Sequence, residues 1–428
     1  MRSKKPFSAG KSTFAFITLV LALAIVPTQA QARKFKVLHT FRGSDGAGPI
    51  SQLVRDKAGN LYGTTAIGGT GKCQGGCGTA FKMNKSGKLI WVHSFSGANG
   101  LQPLAGLLRD KAGNLYGTTV GGGKINSHIC SLGCGVVFKL DKTGKETVLH
   151  KFTGTPDGYF PEALLVEDPE GNLYGTTYSG GAHGIGAVFK IDKTDKETVL
   201  YSFAGGVDDG DTPYSGVILD AAGNLYGSTF DGGNGGSCDF GCGTVFELDT
   251  SGKETILYNF DSFDGAHPDS VLIADSAGNL YGTTIDGGNA NCGGTGCGTV
   301  FELSPHSDGS WTETVLHKFC SLSNCADGET PLAGLLVRDT VGNLHGTTSV
   351  GGTSRCNGSG CGVAFKLDMA GKETVLHSFT GGADGEGIWG GLAIDTAGNL
   401  YGAALQGGDL RCKTGNGQGC GTVFKIAP

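Results

Sequence analysis

The chain has 428 residues, with 33 basic and 39 acidic side chains and a formal net charge of −6 at neutral pH. An acidic chain is a poor partner for phosphate backbones and for anionic lipid surfaces, which argues against nucleic-acid binding and charge-driven membrane adhesion. Its 79 glycines follow no Gly-X-Y register, which excludes collagen; they cluster between apolar runs, where turns need them.

The first element reads as an export signal. Arg2, Lys4, Lys5 and Lys11 form a basic leader, Phe14 to Val26 is a short apolar run, and Ala30-Gln31-Ala32 supplies small residues for cleavage before Arg33. The apolar run is too short for a comfortable membrane span. Residues 1–32 are therefore expected to be a signal peptide and 33–428 a single domain without a transmembrane span, exported to the periplasm or beyond. Cleavage would remove four cations and no acids, taking the formal charge from −6 to −10.

Next comes a repeat. The pentapeptide GNLYG, or a near copy, places an asparagine at Asn60, Asn114, Asn172, Asn224, Asn279, Asn343 and Asn399, with spacings of 54, 58, 52, 55, 64 and 56 residues. A period of that size signals stacked supersecondary units, none of which buries its own apolar face. In the unit starting at Gly106, the runs Gly106 to Arg109, Asn114 to Thr119, Val136 to Leu140 and Thr147 to Phe152 are short, rich in β-branched, aromatic and leucine residues, and bounded by turn residues, so they predict four strands. Asp110-Lys111-Ala112-Gly113 has Asp first and Gly fourth, as a tight type I turn prefers. The equivalent Asp56, Asp168, Asp220, Asp275, Asp339 and Asp395 complete a set of seven carboxylates that looks catalytic, but each can bond its own turn backbone and is read as structural.

Four antiparallel strands, seven times over, predict an all-β seven-bladed β-propeller. The chain starts on a fourth strand, Lys36 to Phe41, and ends on a third, Gly421 to Ile426. Pairing between them would close the ring and leave no open edge there. An open β-solenoid is the alternative architecture; it would want shorter repeats and capping units.

The 14 cysteines fall into near-neighbour pairs: Cys73/Cys77, Cys130/Cys134, Cys238/Cys242, Cys292/Cys297, Cys356/Cys361 and Cys412/Cys420 between second and third strands, and Cys320/Cys325 after a fourth strand. The third unit lacks both members of its pair, and His183 to Ile185 occupies the region, as bridged partners predict. Even count, pairing and an export signal favour seven local disulfides. Their expected job is to stiffen glycine-rich loops that have little core of their own. One pair supplies two thiolates where a closed zinc site needs four ligands, and the pairs lack companion histidines at fixed spacing, so no metal or other cofactor is expected.

The segments GNLYGTT, GG, GCGTVFKL and ETVLHSF resemble the GloVer (Gloeobacter/Verrucomicrobia) tandem repeat family of exported bacterial proteins, most clearly over Gly223 to Leu257 and Gly278 to Phe319, and in all from Lys36 to Ile426. The sequence departs from the pattern at unit three and at His345, which stands where Tyr is usual. The resemblance implies export and a repeat β-architecture and carries no catalytic residue with it. The D-x-x-GNLY turn also looks like those of NHL and lactonase-type propellers, a likeness of fold that does not settle function.

Strand alternation sorts the loops onto two ends. The Asp-x-x-Gly turns share one. The cysteine loops share the other with D-G-x-x-P connections such as Asp157 to Pro161 and Asp209 to Pro213, so variable loops on a rigid ring mark that end as functional. Residues that break the repeat there, Tyr159, Phe160, Tyr214, His267, Glu329, Glu386 and Trp389, are the candidate ligand-binding set, since aromatic faces with nearby carboxylates suit a sugar ring; their alternative use is to cover blade edges. His39, His93, His150, His317 and His377 recur at one strand position and read as structural. No Ser-His-Asp or Cys-His set can be assembled, and the connections lack the alternating acidic series of a calcium loop. The expectation is a monomeric, non-catalytic exported propeller that binds an extracellular or cell-envelope glycan or protein. The rivals are a polysaccharide lyase or hydrolase using Glu329 and Glu386 at the channel mouth, and a structural envelope protein.

Overall fold

A computed structural model describes Met1 and residues 34–428 except 237, 290, 291, 293, 333, 334, 354, 357, 415 and 416. The leader and its cleavage site lie outside the described residues. Strands Val54–Arg55, Leu61–Thr65, Thr79–Met83 and Leu89–Ser94 form the first four-stranded antiparallel sheet, and the pattern recurs in every unit. Seven such blades make a propeller ring. The seventh is built from Ala393–Ile394, Leu400–Ala404, Thr422–Ile426 and the chain's first strand, Phe35–Thr40, whose register runs from Phe35↔Ile426 to Thr40↔Thr422. Closure is as the strand phase at the two ends requires.

The GNLYG motif has a packing reason. Its second glycine lies in the second strand, and a Cβ on Gly117 would fall 2.7 Å from Phe138 and 3.0 Å from Leu107, while one on Gly282 would fall 2.6 Å from Phe301 and 3.0 Å from Leu272. The missing side chain is the space that the third strand's Phe and the Leu just before the first strand fill. That Phe in turn receives the edge of the Phe that directly follows the preceding blade's fourth strand. Phe95–Phe138, Phe152–Phe189, Phe203–Phe246, Phe260–Phe301, Phe319–Phe365 and Phe379–Phe424 have centroids 5.0–5.2 Å apart, and Phe41–Phe81 at 5.3 Å carries the series across the closure. All fourteen rings are fully buried, and aromatic edges of this kind add to the area term. The core is therefore a ring of inter-blade clusters, such as Phe41, Leu53, Leu61, Phe81, Tyr401 and Val423 across blades seven and one.

All seven expected disulfides are formed, but their role differs from the expectation of loops with little core. The second cysteine of each pair between strands two and three is a core residue. Cys77, Cys134, Cys242, Cys297 and Cys420 are 0 % exposed, and Cys361 is buried with them, as is Cys130 on the first side of its bridge. Cys77 belongs to the cluster of Phe95, and Cys420 to that of Phe41. Cys134, Cys242, Cys297 and Cys361 join Phe152, Phe260, Phe319 and Phe379 in the same way. The reason is position. Each of these cysteines stands one residue before the glycine that leads into the third strand, where the chain is already entering the blade over the Phe that directly follows its fourth strand. Sulfur is small and apolar enough to fill that space. In the third unit Ile185 packs against the cluster of Phe203 and fills the corresponding place without a bridge. Each bridge therefore ties a loop to the core, beyond closing the loop on itself.

The first strands are shorter than expected: Leu108–Arg109 pairs, but Gly106 and Leu107 do not. Here neighbouring blades meet around the channel. A Cβ on Gly216 would lie 2.4 Å from Leu164 O, and one on Gly390 2.6 Å from Ser51 O. Hydroxyls of the second strands latch each blade to the next at this radius: Thr64 Oγ1 donates to Ala105 O at 2.9 Å, Thr176 Oγ1 to Ser215 O at 2.8 Å and Thr347 Oγ1 to Gly390 O at 3.2 Å. The seventh blade has Ala403 at that position, and across the closure Gln52 Nε2 donates to Leu392 O at 2.9 Å instead. Among the described residues no helix is long and apolar enough to cross a membrane.

Candidate binding face

On the Asp-x-x-Gly face the recurring carboxylates are saturated. Asp168 Oδ1 accepts from Asn172 N at 2.8 Å, and its Oδ2 accepts from Asn172 Nδ2 at 2.6 Å and from Tyr174 Oη at 2.9 Å. Asp56, Asp110, Asp220, Asp275 and Asp395 hold their Asn and Tyr in the same way, and Asp339 holds Asn343 and His345, 3.2 Å from His345 Nε2. Burial alone would raise the pKa of these carboxyls. Hydrogen bonds from Asn and from Tyr or His outweigh it, so Asp56, Asp168, Asp275 and Asp395 lie below the ordinary value and Asp339 is held down to about 2. The seven carboxylates are structural.

The other face is organised by one recurring joint. In each connection between blades the residue after D-G-x takes a left-handed conformation, with φ from +55° to +66° at Gly48, Gln102, Phe160, Thr212, His267, Thr330 and Gly387. That twist aims its N–H at the neighbouring cysteine loop. His267 N donates to Cys242 O at 2.8 Å, Thr330 N to Cys297 O at 2.9 Å, Phe160 N to Cys134 O at 3.0 Å and Gln102 N to Cys77 O at 3.0 Å. Gly48 N donates to Cys420 O at 3.1 Å, so the joint also spans the closure. In the third unit, without cysteines, Ile185 O accepts from Thr212 N at 3.0 Å and serves as the same anchor. The recurring histidines brace the connections: His39 lies 3.0 Å from Asp45, His150 3.4 Å from Asp157 and His377 3.2 Å from Asp384, while His93 lies 3.0 Å from Glu146 of the next blade.

On this scaffold the candidate residues separate. Tyr159 and Phe160 stack edge to face at 4.8 Å against the core shared by blades two and three, so they cover a blade edge. Glu329 lies against Cys292 and the Cys320–Cys325 bridge, and Glu386 against Cys356–Cys361, in different blades. The cysteines near both glutamates are oxidised and offer no thiolate to a metal. Trp389 is 40 % exposed beside Gly387. Tyr214 and His267, from successive connections, are linked through a chain of rings: Tyr178–Tyr214 at 4.6 Å, Tyr214–Phe230 at 5.0 Å and Phe230 stacked on His267 at 4.6 Å.

His267 opens into a cleft of about 550 Å³ between blades four and five, lined also by Asp231, Asp239, Phe240, Phe263, Asn289 and Thr295. Its Nδ1 is hydrogen-bonded to Asp286 at 2.9 Å, and its Nε2 lies 3.7 Å from Asp231. Burial raises the Asp231 carboxyl, against the pull of His267. Phe240, held between Cys238 and Cys242, and Phe263, in the next connection, are each 78 % exposed. Ile125, Leu132, Val207, Leu322 and Leu410 are also exposed on loops of this face. The channel mouth is a separate recess of about 80 Å³, where Ile50, Leu104, Glu162, Tyr214 and Asp269 occupy one register position in successive blades. Burial pushes Glu162 up to about 7.

Sequence reasoning missed Phe240, Phe263, Asp231, Glu162 and Asp269. A signal existed for the last two, because the residue after the connection's proline varies in type from unit to unit. For Phe240 the signal was a bulky ring inside a bridged, glycine-rich loop.

The Gloeobacter/Verrucomicrobia repeat family profile matches residues 24–129 and 73–295, more than half of the chain. No curated protein sequence matches it. Among solved structures, virginiamycin B lyase from Staphylococcus aureus superposes with a TM-score of 0.56 at 11% identity, covering 92% of this chain and all of that one. The extracellular domain of a hybrid two-component system from B. thetaiotaomicron gives 0.51 at 13% identity, over 92% of this chain and 41% of that one. That of a one-component system from the same organism gives 0.52 at 11%, over 91% and 40%. At these identities the likeness is one of fold.

Proposed function

The chain belongs to the Gloeobacter/Verrucomicrobia repeat family, and from that premise we propose that it is an exported, non-catalytic propeller whose disulfide-braced loop face binds carbohydrate. The observation that carries the reading is the cleft between blades four and five. Two phenylalanine rings stand exposed at its wall, on loops tied to the ring by a disulfide and by backbone hydrogen bonds, with Asp231, Asp239, His267 and Asn289 beside them. Exposed aromatic side chains on a braced loop are costly to leave in water and suited to the C–H face of a sugar, while the carboxylates and the amide meet its hydroxyls. Seven disulfides support export, since such bridges persist in oxidising compartments.

Binding is preferred to catalysis on size and on placement. The channel mouth, about 80 Å³, is well below the roughly 300 Å³ that ligand pockets start from. Glu329 and Glu386, the acid–base pair of the lyase or hydrolase alternative, belong to separate disulfide loops. The test is a screen of the purified protein against a glycan library, with Phe240→Ala and Phe263→Ala as controls. Retention of a glycan by the native protein and its loss in both variants is the expected result. Retention of none would leave the structural-envelope role standing, and retention with products released would restore the enzyme.

A further inference from the structure

The electrostatics of the same cleft name the class of sugar. Its described lining contains Asp231 and Asp239 and neither Lys nor Arg. The smaller recess on the other side of Phe240 adds Asp211, again without a basic residue. Asp286 stands behind His267. At the rim of the cleft Lys318 donates its ammonium hydrogens to Phe263 O at 2.7 Å and Gly288 O at 3.5 Å. These four carboxylates outnumber Lys318 and His267 together, so the set is negative whichever charge the imidazole carries. An anionic glycan would be repelled on approach and would lose water from its acid groups without a counter-charge. A protonated amine gains on both counts, and it also gains from the faces of Phe240 and Phe263, since a cation over an exposed aromatic ring is attracted by the ring quadrupole.

We infer that the cleft selects glycans with free amino groups, glucosamine-type chains whose nitrogen is not acetylated, over neutral and acidic ones. The inference rests on the carbohydrate reading above and adds charge selection to it. Phe240 and Phe263 supply the stacking surface, and Asp239 and Asp231 receive the ammonium and the neighbouring hydroxyls.

The test is calorimetric titration of the whole protein at about pH 6, where ordinary aspartates are ionised. The probes are glucosamine hexamer, N-acetylglucosamine hexamer, galacturonate hexamer and a tri-lysine peptide. Asp239 is exposed on its loop, so Asp239→Asn leaves the fold intact, which a melting curve checks. The expected result is tightest binding of the glucosamine hexamer, weakened by added salt, about tenfold weaker in Asp239→Asn and lost in Phe240→Ala. Equal binding of the acetylated hexamer, or no change in Asp239→Asn, overturns charge selection while the carbohydrate reading stands. If no hexamer binds, the inference falls, and the carbohydrate reading falls with it only where the glycan library also retains nothing. Tighter binding of the tri-lysine peptide overturns the inference in favour of a cationic peptide ligand.

Discussion

On the turn face, Asp168 is saturated by Asn172 and Tyr174; on the loop face, Phe240 stands 78 % exposed at the tip of a disulfide loop. Both belong to the same kind of repeating unit. Turn-face carboxyls of the D-x-x-G series lie below their ordinary pKa wherever a shift is resolved, because hydrogen bonds to the anion outweigh burial. On the loop face the connection acids Asp45, Asp327 and Asp384 are held down by hydrogen bonds in the same way, but Glu162, Asp231, Glu329 and Glu386 are raised, because burial there is not matched by comparable donors. One end of the ring uses its polar groups on itself. The other does so only in part, and leaves Phe240, Phe263 and Asp239 exposed on loops braced by a covalent bridge and by backbone hydrogen bonds.

Single and paired substitutions put this division to the test. The largest effect belongs to the core beneath both faces. Phe301→Ala removes a fully buried ring that touches Phe260 of the preceding blade, and a loss of about 3–5 kcal/mol is expected in denaturant melts, with both faces failing together. Next, Cys238→Ala with Cys242→Ala frees the loop that carries Phe240 while keeping the buried position of Cys242 apolar. Global stability should fall by about 2 kcal/mol, and glycan affinity should fall further than stability does. Equal binding after that change would mean the brace is not what presents the ring.

Asp168→Ala addresses the opposite face. It deprives three donors of their acceptor and should cost roughly 1–2 kcal/mol, with ligand binding untouched; any change in affinity would show that the turn face is not merely structural. Glu162 offers a pH signature. Its folded pKa, about 7, lies above the ordinary 4.5, so the folded state holds more protons between those values. Stability should therefore fall as pH rises through that window, and Glu162→Gln should flatten the slope in melting curves taken across it. The smallest effect is Phe263→Ala, expected to move stability by no more than about 0.5 kcal/mol while removing ligand binding. A marked drop in melting temperature would instead place Phe263 among the residues that hold the blade.

Much of the fold was legible because its hydrogen bonds are local. Asp168 reaches Asn172 and Tyr174, four and six residues on, so the D-x-x-GNLY string spells out its own turn. The paired cysteines lie four to eight residues apart, close enough for their bridges to be read from spacing. Spacing did not show that Cys77 and Cys420 are core residues, because the rings they join, Phe95 and Phe41, lie on strands that only the folded blade brings beneath them. The site was less legible. Tyr214 and His267 break the repeat, yet what joins them is Phe230, just past a second strand at a position where Ala66, Val120, Tyr178 and Ile285 stand in other units, so its type varies without saying which loop it meets. Tyr159 and Phe160 broke the repeat in the same manner and turned out to cover a core. A departure from the repeat marks freedom from one constraint, and it does not say which way the side chain faces.

The sequence alone determined the period, the four strands per unit, the cysteine pairing and the need for the first strand to complete the last blade, because each follows from alternation, turn chemistry and spacing within a few dozen residues. Which loops meet was decided only by the closed ring. Phe240 and Phe263 share a cleft because the connection leaving blade four is pinned to that blade's own cysteine loop through His267 N and Cys242 O. Contacts of that kind depend on the angle at which one packed sheet follows another, which is set by the Phe–Phe edges between blades and is written in no single stretch of the chain.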